Sequence, residues 1–371
     1  MNSMPPGVNG HESRRRVIRV CAAMLIAAAC GKEGGDSART AVGDSVVAPA
    51  SNARDGAGPA HRVLGDTSAA LWKTEWSQDG NAPHSGLLYP IAVAATPSGV
   101  YVLDAASGRV TKYKVANGER SWVYPDTASR ERLQDATAMT IDAKDNVFIL
   151  ERTQGRIIEV NHSGSLVRRI TLPPDLGASS FCVRADGSLL LATSGGKEPL
   201  VTASAQGEVL QRAALPWPAI ADQARIVQQF QLTGSRTDDQ CALTLTLGMG
   251  FVDANHAASG QTRDYVESFA LPPARVTVDS TPGRIRRVQE ILDPRSATLG
   301  GTIDAGSLLL AFEGQTALRG RLIDVYAWPS GGYQRSLVFP SRVTGVSRVG
   351  DLYFILTERK GAPALIAARH P

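Results

Sequence analysis

Val100 opens the run VYVLDAASGRVTKYKV, and 47 residues later Val147 opens VFILERTQGRIIEV. Each run follows a polar turn, Pro97-Ser98-Gly99 in the first and Lys144-Asp145-Asn146 in the second. Asp186-Gly187-Ser188 precedes a third copy, LLLATSGGKEPLVTA, and looser copies begin at Cys241, Leu308 and Leu352. The six starts are spaced by 47, 42, 52, 67 and 44 residues. A short repeat of this kind cannot bury its own apolar face, so each copy must stack on its neighbours. That requirement limits the fold more than composition does. Composition adds that 371 residues with 43% hydrophobic side chains are no disordered polymer.

Within a unit, short apolar stretches alternate with Gly, Asp, Asn and Ser, and sustained 3.6-residue periodicity is missing. The first unit reads as strands at 91–95, 99–104, 109–115 and 119–124, the second at 138–142, 146–151, 156–161 and 165–171. Helical turns are expected only in short pieces, at 129–134 and 219–226. Four antiparallel strands per roughly 40–50 residues is the arithmetic of a propeller blade, and six units predict an all-β, six-bladed β-propeller. A closed barrel would need equal consecutive hairpins instead of a four-strand unit. The last unit (342–349, 351–357, 363–369) stops one strand short, while Leu71–Ser77 stands before the first blade without a hairpin partner. Placed as the outer strand of the last blade, that segment would close the ring and cover an edge. Period-2 alternation would put Trp72, Thr74 and Trp76 on one face, in a packing role.

The units PIAVAATPSGVYVLDAASGRVTKYK and AMTIDAKDNVFILERTQGRIIEVN resemble NHL-type repeats of six-bladed propellers, clearly over 88–216 and by spacing alone afterwards. The resemblance implies the same ring. It leaves function open, since such propellers include scaffolds and binding proteins, hydrolases, lyases and quinone-dependent dehydrogenases.

At the N-terminus, Arg14, Arg15, Arg16 and Arg19 precede an apolar run, Val20 to Ala29. Ten residues make a helix of about 15 Å, half the bilayer core, so the segment reads as an export signal. Ala27-Ala28-Ala29-Cys30 resembles a bacterial lipobox, with Ala27 where the family prefers a larger aliphatic residue. The resemblance implies cleavage before Cys30 and lipidation of that cysteine, in the periplasm or at the outer surface. The basic cluster suits either the general secretion route or a loose twin-arginine signal. The domain reading is therefore a signal peptide (1–29), a lipidated flexible tether (30–68) and a propeller (69–371). The Gly-, Ala- and Ser-rich tether has no apolar periodicity and would span roughly 30–35 Å as a coil. Without residues 1–29 the chain carries 35 basic and 34 acidic residues, which gives no electrostatic reason to expect nucleic acid as a partner.

The most repetitive polar feature is an acid ending the second strand, with an Arg beyond the turn: Asp104 with Arg109, and Glu151 with Arg156. Glu313 and Glu358 occupy the same place in later units, without an Arg at that spacing. Such acids support the turn by accepting backbone N–H bonds, and four on one ring face would form a carboxylate and arginine ring for a cation or a basic partner. No HExxH, CxxCH, GxSxG or P-loop motif occurs, so no catalytic residue, metal or cofactor is assigned. Cys182 and Cys241 remain in the body of an exported chain, either as a disulfide or as two buried thiols. An insertion at 272–298 carries Arg284, Arg286 and Arg287 on a candidate interaction strand, and 249–262 reads as a long binding loop. The expected function is a non-enzymatic envelope lipoprotein that binds or scaffolds another envelope or membrane protein. The alternatives are an enzyme with a central-channel site built from several blades, and a sensor or carrier of a soluble ligand.

Overall fold

In Gly99–Asp104 every residue is buried. Alternation sends Val100 and Val102 into one apolar cluster, Tyr101 and Leu103 into another. A strand covered on both faces reads as a continuous apolar run instead of an alternating one. VYVLD, VFILE, LLLAT, CALTL, LLLAF and LYFIL are all such runs, buried throughout. Each is a middle strand with a sheet on either side.

The computed structural model describes residues 43–47, 64, 71–81, 86–128, 130–193, 198–214, 230–234, 239–245, 250–256, 262–266, 274–281, 284–291, 298–313 and 318–370. In 43–47, 230, 256, 274–281 and 284–291 it describes the backbone alone. In chain order the strands begin with β1 (Gly43–Val47), β2 (Lys73–Asp79), β3 (Pro90–Thr96), β4 (Gly99–Asp104), β5 (Arg109–Tyr113) and β6 (Arg120–Tyr124). Next come β7 (Ala136–Ile141), β8 (Val147–Glu151), β9 (Arg156–Val160), β10 (Leu166–Thr171), β11 (Ala178–Val183), β12 (Leu189–Thr193), β13 (Leu200–Ala203) and β14 (Val209–Ala213). They continue with β15 (Phe230–Gly234), β16 (Cys241–Leu245), β17 (Gly250–Asp253), β18 (Arg263–Asp264), β19 (Ala274–Thr281) and β20 (Arg284–Ile291). The last are β21 (Thr298–Asp304), β22 (Ser307–Phe312), β23 (Leu322–Ala327), β24 (Tyr333–Val338), β25 (Val343–Val349), β26 (Leu352–Arg359) and β27 (Ala362–Arg369).

Blades 1 to 5 are the four-stranded antiparallel sheets β3–β6, β7–β10, β11–β14, β15–β18 and β21–β24, and blade 6 is β25–β27 with β2 outermost. The protein is a six-bladed β-propeller closed as expected. One apolar cluster fills each junction. Phe148 and Leu150 meet Leu189 and Leu191, Leu190 and Ala192 meet Leu243 and Leu245, and Ala242 meets Leu308 and Leu310. Leu309 and Ala311 meet Tyr353 and Ile355, then Phe354 and Leu356 return to Val100 and Val102. Hydroxyls stitch neighbouring inner strands: Ser347 Oγ accepts the Ala95 N–H at 2.9 Å, and Ser180 Oγ accepts the Leu232 N–H at 2.7 Å.

β2 pairs antiparallel with β27, with an extra residue, Glu75, between Thr74 and Trp76. Such a bulge shifts the alternation by one and turns the following side chain to the opposite face. Trp72 and Trp76 therefore do not share a face, as strict alternation predicted. Trp72 packs edge-on against Phe339, Tyr353 and His370, and its Nε1 donates to Val338 O at 2.7 Å. Trp76 packs against Phe354 on the other side and donates to Val115 O at 2.7 Å. One strand thus fastens blade 6 to blade 5 and to blade 1.

Two further readings are corrected. Residues 130–134 form no helical turn; they carry the chain from blade 1 to blade 2, while 219–226 lies outside the described residues. The span read as a loop at 249–262 contains a third strand, β17, which four residues beside Gly- and Ala-rich sequence barely signal. Within the expected tether, β1 pairs with β19, which continues through β20 as a hairpin outside the six blades. Residues 1–42, with Cys30 and the signal segment, lie outside the described residues.

Replacing Trp72 with Ala leaves a cavity between blades 5 and 6 and should cost about 3–5 kcal/mol in urea unfolding. A cost under about 1 kcal/mol would mean the closing strand does not hold the ring. Alkali provides a second check. Burial pushes the Tyr113 phenol up to about 12, against the opposing hydrogen bond from Thr111, and full burial raises Tyr265 too. In the unfolded chain both ionise near 10. The unfolded state then binds fewer protons above pH 10, so stability should hold through pH 9 and fall between pH 10 and 12, by about 1.4 kcal/mol per pH unit for each phenol. Tyr113→Phe should shrink the fall seen in the urea midpoint.

Candidate functional site

Asp104 closes β4 at 2% exposure, and its Oδ2 accepts the Leu88 and Tyr89 N–H groups, both at 2.7 Å. Its Oδ1 accepts the Ser107 N–H at 2.7 Å, so one buried carboxylate ties the turn after β4 to the chain entering β3. Arg109 Nη1 donates to Pro125 O at 2.8 Å. In blade 2, fully buried Glu151 accepts the Gln134 N–H at 2.6 Å and pairs with Arg156 Nε at 2.5 Å. A carboxylate with two or three strong donors is a structural clamp, which is how the burial of both groups is satisfied.

Glu313 and Glu358 stand differently. Asp104 pairs across the sheet with Pro90, and Glu151 with Ala136. In blades 5 and 6 the matching residues are Phe312, opposite Thr298, and Thr357, opposite Val343. Glu313 and Glu358 each fall one residue beyond, and one step along a strand reverses the direction of a side chain. Glu313 pairs with Arg319 and Arg342 at 3.3 and 3.2 Å, while Glu358 is exposed. The four acids therefore occupy two different blade positions. The turn in blade 5 is longer, which is why spacing alone missed Arg319.

Asp104 also holds what sequence reasoning overlooked. Leu88 and Tyr89 are 62% and 65% exposed, although their backbone is fixed by the carboxylate beneath. The only hint in the sequence is the run of three apolar residues, Leu87, Leu88 and Tyr89, between Gly86 and Pro90, just before a strand begins.

The inner strands enclose a central cavity of about 280 Å³, lined from blades 1, 2, 4, 5 and 6. Its walls are small or uncharged: Ala94, Thr140, Thr233, Gly300, Gly301 and Gly345. At the end away from the Asp104 and Glu151 turns, Arg348 Nε bonds Asp304 Oδ2 at 2.8 Å and its Nη2 donates to Asp304 O at 3.0 Å. Burial pulls the guanidinium pKa down, but the bonds to Asp304 and Tyr353 outweigh it and hold the value above the ordinary one. The cation is locked in place, with the Tyr353 ring 5.9 Å away. Such a cavity suits a small polar guest. Among the described residues no group of three or more His, Cys, Asp or Glu side chains is placed to hold a metal ion.

Cys182 of β11 and Cys241 of β16 are joined in a disulfide across blades 3 and 4, with Cα atoms 6.3 Å apart. Gly234 lies beside it, where a Cβ would stand 2.6 Å from Cys182 Sγ. Arg284, Arg286 and Arg287 lie in β20, opposite Thr281, Asp279 and Val278, and their side chains are outside what the structure describes.

No protein-family model matches the sequence, and no curated protein matches it. Among solved structures the chain is similar to a catalytically inactive variant of virginiamycin B lyase from Staphylococcus aureus with quinupristin, at 12% identity and a TM-score of 0.50, covering 81% of this chain and 100% of that one. It is similar to the selenomethionine form of the same lyase at 10% identity, with a TM-score of 0.49 and the same coverage. A third similar structure is the Neurospora crassa Pan2 WD40 domain, at 10% identity, TM-score 0.44, and 81% and 95% coverage. At these identities the likeness shows the fold alone, and a fold does not settle function.

Breaking the disulfide by Cys182→Ala with Cys241→Ala opens a link across 59 residues and should cost about 4 kcal/mol on the chain-entropy scale. Gly234→Ala should destabilise the oxidised protein more than the reduced one, because only the bonded sulfur is unable to move aside. Equal effects in urea unfolding with and without reductant would contradict the bridge.

Proposed function

We propose that the chain is an NHL-like propeller lipoprotein of the bacterial envelope, exported and anchored through Cys30, that binds or scaffolds another envelope protein and catalyses no reaction. One observation carries the reading. Leu88 and Tyr89 project from one ring face, both strongly exposed, on a backbone clamped by buried Asp104. A large apolar pair held rigid before contact loses little entropy when covered, the property that makes a binding hot spot. The lipid would keep this face near partners in the same membrane.

A second reading, an enzyme of hydrolase, lyase or quinone-dependent type, is favoured by the multi-blade cavity with its fixed cation. Stoichiometric metal or a quinone-like absorbance in the purified protein would select it.

The deciding measurement is co-purification from detergent-solubilised native membranes. The wild-type protein should retain a partner near one-to-one, and Leu88→Ser with Tyr89→Ser should reduce the yield of that partner at least tenfold without changing the unfolding midpoint. Repeated absence of any partner at that ratio would defeat the reading. Cys30→Ser should move the protein from the membrane to the soluble fraction.

A further inference from the structure

Blades 1 and 2 meet at a second concavity of about 400 Å³ on the side of the Glu151 turn. Its walls come from the end of β6, the connection 130–134, and the blade 1 side of β9 and β10. Arg130, Arg132, Arg156 and Arg169 line it, against Glu131 and Glu151. That leaves an excess of two positive charges in a groove large enough for a small molecule.

The two acids do not cancel this charge evenly. Glu151 is fully buried and bound to Arg156 and the Gln134 amide. Arg130, Arg132 and Arg169 make no ion pair among the described residues, and all three are exposed. Arg169 stands across the sheet from Ile158, close enough to Tyr124 to act on its phenol, which burial raises and Arg169 lowers. Beneath the guanidinium groups the floor is apolar: Leu133 and Ile158 are buried, with Tyr124 and Pro125 beside them. Exposed guanidinium forks above an aromatic and aliphatic floor match an anion on an apolar body, because the forks bond phosphate or carboxylate oxygens in pairs.

We propose that this groove is a binding site for an organic anion, a phosphate or carboxylate carried on an apolar group. It stands independently of the partner-binding face, since no partner protein is needed to fill it. The phosphate could belong to a free metabolite or to a lipid headgroup, and two arms of one experiment separate these sources.

In the first arm, 1-naphthyl phosphate is titrated into the purified mature chain by calorimetry at low and at physiological salt. Saturable one-to-one binding is expected, weaker at the higher salt. The Arg130→Gln, Arg132→Gln, Arg169→Gln triple variant should bind at least tenfold more weakly, while Arg212→Gln, exposed on blade 3, should bind as wild type. These positions are on the surface, so the unfolding midpoint should not move. In the second arm, phosphatidylglycerol vesicles replace naphthyl phosphate, with the chain lacking its lipid. Triple-sensitive binding to naphthyl phosphate assigns a free anion, and triple-sensitive binding to vesicles alone assigns a headgroup. Binding to neither, or binding to both that the triple variant leaves intact, overturns the site.

Discussion

Every middle strand of this protein is buried on both faces, so no blade can be stable without the blades beside it. Val100 and Val102 are covered only because Phe354 and Leu356 lie opposite, and Tyr101 and Leu103 only because Val147 and Ile149 do. Six sheets that each need two neighbours have one arrangement without an uncovered end, which is a circle. The circle then decides where the last strand comes from. Closing blade 6 with β2, which precedes blade 1 in the chain, joins the two ends of the propeller through a hydrogen-bonded ladder instead of leaving an exposed edge. The two tryptophans extend this link beyond the sheet. Trp72 reaches Val338 in blade 5, and Trp76 reaches Val115 beyond the third strand of blade 1.

The same logic explains which parts of the molecule were legible in the sequence. Turns marked by Gly, Asp and Asn, and apolar runs of constant length, come from requirements repeated in every blade, so they recur visibly. The strands of blades 1, 2 and 6 fall within about two residues of their expected limits for that reason. Register does not recur visibly. In five blades the inner strand has a bulge just after its first residue, between Pro90 and Ala92 in blade 1 and between Val343 and Gly345 in blade 6. A bulge adds one residue without a characteristic side chain, and Glu75 in β2 escaped notice in the same way. One residue of slip also separated Glu313 and Glu358 from the position of Asp104 and Glu151. Pattern counts residues, whereas pairing decides the face they point to.

Asp104 and Glu151 were readable as turn supports but not as organisers of their surroundings, because the donors they engage lie 15 to 17 residues upstream. Loop closure over such a distance depends on the ring bringing the preceding connection back over the second strand. Once that happens, a buried carboxylate needs its donors, since an ionised oxygen without them is costly to desolvate. The clamp is then a consequence of burial, and the exposed Leu88 and Tyr89 are held in place by a group that they themselves leave in the dark.

Charge gives a parallel lesson. With its first 29 residues removed the chain is almost neutral, with 35 basic against 34 acidic side chains, and that balance gives no long-range attraction to a polyanion. Screening at physiological salt limits exposed charges to about 8 Å, so a ligand in a groove responds to the few groups within that radius and not to the sum over the molecule. The connection from blade 1 to blade 2 carries Arg130 and Arg132, and β10 turns Arg169 toward the same opening, while Glu151 is withdrawn beneath Arg156. A neutral protein can therefore present a strongly basic groove. What creates it is the junction of two blades, which brings together residues almost forty positions apart and buries the acid that would otherwise have balanced them.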